Sequence, residues 1–554
     1  MQADLILLPG CGLSREWSGG ETHALGLSAE LAAARLDQIL EKTRAEWLLF
    51  WDPTLGDPPR ELLAGWMRES VDAVHGGLRL GLAGEPAALD RVITDWSWLD
   101  PPQNLRSTSW RLSLRCALIR TEVLRVVGGL DPAFETLQGA GLELGYRLLR
   151  RGALVWFDPA LVSEPSSAPG PSAVDTHVFV RRWFKPHWAR YVEARQLLGG
   201  VGPGAEWSAA RVAAAACDRY SGPNRAAVVP HREPPRAGVG GGARPSITAI
   251  IPTLGRYPYV PAALNSLSAQ TLRPDEVLVV DQNPPELRRP EVYEPYQDLN
   301  LRVIWLKDRG QSLARNTALA EARGDYLFLF EDDAVAEPDL IEQHYAWLTH
   351  TGAHVSTGVS LPPPPIQYQL PEEFRFPRVA QTFSSGNSLL SREAIRLVGG
   401  FDRNYDHGVN ADMDCGTRLY LSGGLILHNP HATMIHYKAP MGGLRVYGHW
   451  WAHSNVGVLR PFPPPTQVYY MLRFLSPRQR RERLLRFLLL ASLGWEKKQS
   501  HVRGSRALRL AQNLLFLPLM PYRLARSFHV ARKLLDSGPR IPDARGLPAQ
   551  GAHS

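Results

Sequence analysis

The chain has 554 residues, which is enough for two or three domains with separate hydrophobic cores. Hydrophobic residues make up 44% of it and charged residues 21%, a composition that excludes disorder throughout. The net charge of +8 is concentrated in residues 466–554, where 17 lysines and arginines face 4 acidic residues. The remaining residues carry 45 basic and 50 acidic side chains, so this mildly acidic body disfavours nucleic acid as a partner.

The beginning of the chain, Met1–Gly10, has a short apolar run without a basic segment before it, so we predict a buried strand rather than a signal peptide. The four cysteines of the chain include no C-x-x-C pair, which argues against a disulfide scaffold and against a structural zinc site. A reducing, cytoplasmic location is therefore expected.

Composition divides the chain into four parts. Residues 1–200 alternate strand-like and helix-like segments, and residues 201–245 are predicted to be a linker because they end in a stretch rich in Pro and Gly. Residues 246–460 form a second alternating block, and residues 461–554 form a basic helical tail. Two domains, a linker and a tail follow from this reading.

The second block shows repeated alternation of strand and helix. Strands are predicted over 246–252, 276–281, 301–306 and 326–330, and helices over 260–270 and 312–323. Because apolar strands alternate with helices, we predict an α/β domain with a mostly parallel sheet of the Rossmann-like kind.

The first block is related to the second by an internal repeat. Ser113–Pro165 aligns without a gap on Ser384–His436, at a constant offset of 271 residues. Identical positions include the glycines and the aspartate of Gly128–Asp131 and Gly399–Asp402. We therefore interpret residues 1–200 as a shortened copy of the second block.

Three acidic residues, Glu331, Asp332 and Asp333, follow the apolar strand that ends at Phe330. In open α/β sheets, ligands bind beyond the carboxyl ends of the strands. Adjacent carboxylates repel one another unless a cation holds them, and oxygen ligands suit Mg²⁺ or Mn²⁺. The alternative interpretation is a solvated acidic loop.

With these acids, a series of motifs resembles glycosyltransferase family 2, whose members have the GT-A nucleotide-sugar fold. The resemblance covers Ile247 to about Arg445. Its motifs, in order, are Ile251–Thr253, Val280–Asp281, Gly310–Asn316, Glu331–Asp333, Ser385–Asn387, Gly399–Asp402 and Asn410–Asp414. The chain departs from the family at Glu331, usually Asp, and at Ala411–Asp412, usually Glu-Asp.

The resemblance implies a donor site, a cation site and an acceptor site. The implied donor nucleotide-binding residues are Pro252, Thr253, Asp281, Arg315 and Asp332, with Thr253 and Asp281 at the base. The implied ligands of Mg²⁺ or Mn²⁺ are Asp333, Glu331 and His436, although a lone histidine is often structural. Gly386, Asn387 and Arg445 are expected at the acceptor or in a loop over the diphosphate.

Inverting sugar transfer needs a general base opposite the leaving diphosphate, and a suitably placed aspartate suffices. We assign Asp412 to this role, with Asp414 as the second candidate, which could instead orient the acceptor or the loop. Alternatively, both acids could have only a structural role, because acidic side chains at the amino end of a helix, here the one beginning at Cys415, interact favourably with the helix dipole.

The first copy lacks these groups. Thr54 stands at the position of Asp333, Gly141 at that of Asp412 and Pro165 at that of His436. We therefore expect a degenerate, non-catalytic GT-A-like domain that serves packing, acceptor binding or assembly.

The tail combines arginines with apolar residues in a pattern typical of amphipathic helices. Its longest uncharged run, Leu510–Tyr522, has 13 residues and two prolines, too short to span a bilayer. A basic, Leu-rich helix can lie on an anionic membrane, and the alternative is a helical cap on the preceding domain.

These observations predict a metal-dependent, inverting hexosyl- or deoxyhexosyltransferase, peripheral at the cytoplasmic membrane face. Its donor would be a nucleoside-diphosphate sugar, and its acceptor a glycan or lipid-linked glycan in cell-surface polysaccharide synthesis. One alternative is an inactive glycan-binding or assembly subunit. Another is a nucleotidyltransferase, which would release pyrophosphate and would not need the Asp412 segment.

Overall fold

The structure is a computed structural model. It describes residues 2–9, 17–26, 28–77, 89, 99, 102–162, 170–223, 225–230, 234, 244–444, 459–492 and 517–542. The chain forms two compact units. The first comprises Met1–Glu233 with Arg375–Val379 and Tyr420–Leu425, and the second comprises Pro234–Phe374, Ala380–Leu419 and Ile426–Ser554.

The first unit is an α/β unit with one sheet. Its strands are β1 (Ala3–Leu7), β2 (Thr22–Ala24), β3 (Trp47–Trp51), β4 (Ala73–His75), β5 (Ser107–Thr108), β6 (Cys116–Arg120) and β7 (Val155–Phe157). Its helices are α1 (Ala29–Lys42), α2 (Arg60–Trp66), α3 (Thr121–Val127), α4 (Leu137–Arg150), α5 (Ala173–Trp183), α6 (Pro186–Leu198) and α7 (Pro203–Arg219). Every residue of β3, an interior strand of the sheet, is buried, as its uninterrupted apolar sequence requires.

The second unit is also α/β. Its strands are β8 (Ile247–Thr253), β9 (Glu276–Asp281), β10 (Leu301–Trp305), β11 (Tyr326–Phe330), β12 (Ala334–Ala336), β13 (Val355–Leu361), β15 (Asn387–Ser391) and β16 (Ile426–His436). Its helices are α8 (Val260–Ser268), α9 (Gln311–Glu321), α10 (Leu340–Thr351), α11 (Arg392–Val398), α12 (Ala411–Leu421), α13 (Pro465–Phe474), α14 (Pro477–Ser492) and α15 (Met520–Asp536). Strand β14 (Arg378–Ala380) begins in the segment Arg375–Val379, which belongs to the first unit. The predicted fold class and the six predicted elements of this block are confirmed.

The second sheet runs in the order β10-β9-β8-β11-β15-β13-β16-β12. Strands β8 to β11 are parallel neighbours, which brings the carboxyl ends of β8, β9 and β11 to one edge. Strand β15 is antiparallel to both of its neighbours, so the sheet is mixed. The sequence predicted the parallel half but not this antiparallel insertion.

The two sheets share the order and the directions of six strands. The order β2-β1-β3-β6-β4-β7 of the first corresponds to β9-β8-β11-β15-β13-β16 of the second, and each neighbouring pair keeps its parallel or antiparallel sense. The end strands β5 and β12 do not correspond, because β5 follows β4 in the chain whereas β12 precedes β13. The pairing register agrees as well, since Leu49 faces Leu118 in the first sheet and Phe328 faces Leu389 in the second.

The stretch 201–245, predicted to be a linker, contains the helix α7. Alanines dominate this helix, and Ala209, Ala210 and Ala213 are buried where it packs against α5. Alanine has the highest helix propensity, and its small side chain permits close helix packing, which explains why these residues fold. Residues 231–233 and 235–243 lie outside the described residues.

The described part of the tail is helical, as predicted, and α13 is part of the second unit. Its Val468, Tyr469, Tyr470 and Met471 are buried, and it packs against α15. Within the described residues, no helix has both the length and the apolar character needed to cross a membrane.

Candidate functional site

The three acids that follow β11 lie beside the carboxyl end of β8. Asp332 is buried and accepts hydrogen bonds from Thr253 Oγ1 at 2.8 Å and Arg256 Nη1 at 2.9 Å. Burial raises the pKa of Asp332 to about 6, even though Arg256 stabilises its charged form. Both oxygens of this predicted donor-binding residue are therefore already engaged by protein groups.

Asp333 and Glu331 converge on His436 at the end of β16. His436 Nε2 lies 3.3 Å from Asp333 Oδ1 and 3.5 Å from Glu331 Oε2. Burial would raise the pKa of Asp333, but the contacts of His436 and Arg256 outweigh it and lower this pKa to about 2. The three predicted metal ligands thus lie together, with one potential ligand atom from each residue within 4.8 Å of the others.

This cluster has the chemistry of a divalent-cation site. Asp333 Oδ1 and His436 Nε2 are buried, and neither atom makes a hydrogen bond of acceptable geometry. Asp333 Oδ2 is held in place by the amide of Ala439 at 2.7 Å, which leaves Oδ1 for a ligand. Two carboxylates and an imidazole are suitable ligands for a divalent metal ion, so the residues fit the predicted cation.

Asp281, predicted to contact the nucleotide base, is fully buried at the end of β9. Tyr257 and Tyr293 donate their hydroxyls to Oδ2 at 2.7 and 2.8 Å, and Asn283 donates its amide and its Nδ2 to Oδ1 at 2.8 and 2.7 Å. A carboxylate has about four acceptor positions. A base could therefore bind Asp281 only by replacing one of these donors.

Arg315 lies on α9, whose amino end is held by a distant acid. Asp406 Oδ1 accepts from the amides of Ser312 and Leu313 at 2.9 Å each, which caps the helix.

The Arg315 guanidinium donates to the Ser385 carbonyl at 3.2 and 3.3 Å. Burial lowers the pKa of Arg315, while Glu331 and Asp412 oppose that shift. Arg315 therefore links the acidic cluster electrostatically to the candidate base.

Asp412 lies in the first turn of α12 and is half-buried. Its Oδ1 accepts from the amide of Met413 at 2.9 Å. Burial raises its pKa, Arg315 opposes this shift and Glu331 adds to it. An accessible carboxylate with a raised pKa is suited to accept a proton.

Asp414, the second candidate base, has a different environment. Its side chain is fully buried, where Oδ2 pairs with Arg418 Nε at 2.8 Å and Oδ1 contacts Arg473 and Tyr405. Arg473 Nη1 also pairs with Asp402 Oδ2 at 3.0 Å. Because its oxygens are occupied and inaccessible, Asp414 is not placed to take a proton from an acceptor.

The first unit contains the same arrangement with a glutamate. Glu143 stands at the position of Asp414 and pairs with Arg147 Nη2 at 3.0 Å, four residues on. Arg225 contacts both Glu143 and Asp131, as Arg473 contacts Asp414 and Asp402. This network persists in the copy that lacks the equivalents of Asp333 and His436, so it stabilises the fold. The assignment of Asp414 as a base is corrected accordingly.

Replacement of Asp414 should therefore act on stability. Asp414→Asn would leave two largely buried guanidinium groups facing a neutral amide, and we expect a loss of about 3 kcal/mol in the free energy of unfolding. Chemical denaturation followed by fluorescence measures it. Glu143→Gln is the matched variant of the first unit and should cost a similar amount. A stable Asp414→Asn protein that lost only turnover would contradict this assignment.

The predicted acceptor or loop residues lie in different places. Gly386 packs against Glu331, because a Cβ added there would lie 2.3 Å from Glu331 Cγ. Asn387 is wrong as an acceptor contact, since its fully buried side chain binds His344 Nε2 at 3.0 Å and two main-chain carbonyls. Pro252 is a half-buried residue of β8. Arg445 lies outside the described residues.

Sequence reasoning missed Arg256, which contacts both Asp332 and Asp333. It also missed Arg473, which reaches the network from α13. The internal repeat could have revealed the network, because the aligned pair Glu143 and Asp414 is acidic in both copies. No pattern in the sequence places Arg256 near an acid 76 residues away.

Comparison with known proteins shows similarity to glycosyltransferases in this region. Residues 248–395 match the sequence profile described as Glycosyl transferase family 2. A glucosyl-dolichyl phosphate glucuronosyltransferase of Haloferax volcanii is 27% identical over 239 residues, covering 38% of this chain and 75% of that protein. The uncharacterized glycosyltransferase EpsJ of Bacillus subtilis is 36% identical over 95 residues, covering 17% of this chain and only 27% of that protein.

Two solved structures are similar to this chain, although their TM-scores are low. The mannosyltransferase PcManGT from Pyrobaculum calidifontis, in complex with GDP-Man and Mn²⁺, has a TM-score of 0.32 and 21% identity, with 52% of this chain and 87% of that chain covered. TarS 1–349 of S. aureus, in complex with UDP-GlcNAc, has a TM-score of 0.35 and 17% identity, with coverages of 54% and 89%.

Proposed function

We propose that the second unit is an inverting sugar transferase, because residues 248–395 match the sequence profile described as Glycosyl transferase family 2. It would move a hexosyl or deoxyhexosyl group from a nucleoside-diphosphate sugar to a hydroxyl of a glycan or lipid-linked acceptor. The observation that carries this proposal is the convergence of Glu331, Asp333 and His436 at the carboxyl edge of the parallel strands.

In the proposed reaction, Asp412 accepts the proton of the acceptor hydroxyl. The acceptor oxygen forms a bond to the anomeric carbon while the bond from that carbon to the diphosphate oxygen breaks. The electron pair leaves with the nucleoside diphosphate. Attack from the opposite face inverts the anomeric configuration.

Glu331, Asp333 and His436 would hold a divalent cation, Mg²⁺ or Mn²⁺. Such a cation offsets the negative charge that develops on a leaving diphosphate. Arg315 adds a second positive group beside the same acids and Asp412. The cation and Arg315 would therefore bind the donor diphosphate, while Asp412 would provide the base.

The function is tested by incubating the protein with a panel of nucleoside-diphosphate sugars and glycan or lipid-linked acceptors, with Mg²⁺ or Mn²⁺. Release of a nucleoside diphosphate and a product of inverted anomeric configuration by NMR are expected. Release of pyrophosphate would indicate a nucleotidyltransferase instead. A folded protein that bound no donor would leave the alternative of an inactive assembly subunit.

We propose that the first unit is a GT-A-like copy without catalytic activity. Support comes from the shared strand order and from Arg115, whose guanidinium contacts Asp52 and Thr54, the counterparts of Glu331 and Asp333. Arg115 stands at the position of Gly386, so a protein cation contacts the acid of the first unit where the second unit has a glycine packed against Glu331. A divalent cation would have to displace it.

We also propose that the protein is peripheral at the cytoplasmic membrane face, with a lipid-linked acceptor. Helix α15 supports this, since it exposes Arg526, Arg532 and Lys533 together with Tyr522 (52%) and Leu535 (40%). The relative from Haloferax volcanii is named for a dolichyl phosphate substrate. A role in cell-surface polysaccharide synthesis is consistent with such an acceptor.

Membrane contact through α15 has a direct test. The protein should sediment with vesicles containing anionic lipid and remain in solution with zwitterionic ones, because each basic residue near an anionic surface contributes about 1 kcal/mol. Replacing Arg526, Arg532 and Lys533 by Gln should reduce the bound fraction strongly at 0.15 M salt. Equal binding to both kinds of vesicle would contradict an electrostatic attachment.

A further inference from the structure

Arg256 is a positively charged group already seated among the acids of the site. It follows β8 in the chain and is 7% exposed, with Nη1 lying 2.9 Å from Asp332 Oδ1 and 3.1 Å from Asp333 Oδ1. Burial opposes its charge, but the two carboxylates outweigh burial and raise the pKa of Arg256. The guanidinium therefore compensates the adjacent carboxylates when no metal ion is bound.

The same side chain also contacts the segment that follows β16. Arg256 Nε donates to the carbonyl of Met441 at 3.4 Å. Gly442 and Gly443 have φ of +70° and +68°, and a Cβ on Gly443 would lie 3.0 Å from Arg256 Nη2. The amide of Gly443 donates to the Leu254 carbonyl at 2.6 Å. The segment Met441–Gly443 is thus shaped around Arg256.

Asp333 holds the beginning of this segment. The amide of Tyr437 donates to its carbonyl at 2.9 Å, and the amide of Ala439 donates to Oδ2 at 2.7 Å. Its other oxygen, Oδ1, faces both Arg256 Nη1 and His436 Nε2. The proposed cation ligand and the holder of the segment 437–443 are therefore the same residue.

We propose that Arg256 is a positioning residue that takes the place of the cation beside Asp333 in the metal-free protein and helps to hold the segment 437–443 in position. A divalent cation bound to Asp333 Oδ1 repels the guanidinium 3.1 Å from that oxygen. Its displacement from Asp333 breaks the contact with Met441 and increases the mobility of the segment, which is then held only by its contacts with Asp333 and Leu254 among those described above. This inference rests on the proposed cation site.

The linkage has a consequence for cation affinity. Since Arg256 and the cation compete for Asp333, weakening the arginine contact must strengthen cation binding, and the coupling is reciprocal. Gly443→Ala should shift the Arg256 guanidinium without changing any acidic residue. Gly443 has a positive φ, and the added Cβ would lie 3.0 Å from Arg256 Nη2. This substitution is therefore a second variant that acts on the same competition.

The test is a calorimetric titration of the full chain with Mn²⁺ alone, together with amide hydrogen exchange of residues 437–443. In the wild type, Mn²⁺ should accelerate exchange in this segment. Arg256→Met and Gly443→Ala should exchange rapidly without Mn²⁺ and bind Mn²⁺ about tenfold more tightly, a coupling typical of linked sites. Arg273→Met, which removes an arginine paired with Asp298, is the control and should match the wild type.

Three results would overturn the proposal in distinguishable ways. A wild type that binds Mn²⁺ without a change in exchange would exclude the increase in mobility of the segment. Arg256→Met and Gly443→Ala proteins that fold and bind Mn²⁺ no more tightly than the wild type would exclude competition. A wild type that binds no Mn²⁺ would refute the cation site itself, and with it the metal dependence of the proposed function.

Discussion

Asp412→Asn should reduce kcat by about 10²–10⁴-fold while the donor still binds, the range expected for loss of a general base. The amide keeps the shape of the carboxylate but cannot accept the proton of the acceptor hydroxyl. Among the described residues, the Asp412 side chain accepts one hydrogen bond, from the amide of Met413, and forms no ion pair, so the substitution should leave the fold intact. Turnover measured by release of nucleoside diphosphate, with donor affinity measured separately by calorimetry, separates chemistry from binding.

The pH dependence gives an independent check on the same residue. The base must be ionised to accept a proton, and burial raises the pKa of Asp412 above its ordinary value of 3.8. The acidic limb of kcat/KM should therefore lie above pH 3.8, and activity should be lost as pH falls through it. In Asp412→Asn the residual rate should lack this limb.

Asp52→Asn is a control in the first unit for the same chemical change. Asp52 is the acid of the first unit at the position of Glu331, and it pairs with Arg115. Because the first unit is proposed to have no chemistry, this variant should keep full turnover. An Asp412→Asn protein that retained most of its kcat would refute the base assignment, or would show that the first unit contributes turnover after all.

The sequence predicted the parallel strands and the acids that follow them, because apolar runs and charge clusters are local patterns. The convergence of Glu331, Asp333 and His436 followed only from the family resemblance, since the histidine is 103 residues from Asp333 along the chain and arrives through the pairing of β16 with β12. Local composition also misjudged residues 203–219, where a helix forms through alanine packing.

Roles of single acids were harder to predict than their positions. Asp412 and Asp414 are two residues apart in one helix, yet one is half-buried and the other is fully enclosed by arginines. Arg473, which contacts Asp414, lies 59 residues later in the chain, and no local sequence pattern indicates this contact. Burial and partner choice arise from tertiary packing, so they separate the two acids only in the folded chain.

Asp333→Asn should remove metal-dependent donor binding and lower kcat/KM by about 10³-fold, equivalent to about 4 kcal/mol of transition-state stabilisation. Asp333 Oδ1 is the buried acceptor without a hydrogen bond, and Oδ2 is held by Ala439. The amide would keep the contact with the segment 437–443 if its oxygen faces Ala439, but it would then present an uncharged NH₂ group to a cation. Calorimetric titration with the donor, with and without Mn²⁺, measures the loss.

Removal of the cation from the wild type with EDTA should reproduce the effect of Asp333→Asn, and EDTA should have little further effect on the variant. The two perturbations act on one interaction, so their free-energy costs should not add. A cation bound elsewhere would instead make the costs additive, and donor binding that is equal with Mn²⁺ and with EDTA in the wild type would mean a metal-independent transferase. In that case Arg315 and Arg256, which already contacts Asp333, would have to offset the charge of the leaving diphosphate without a metal ion.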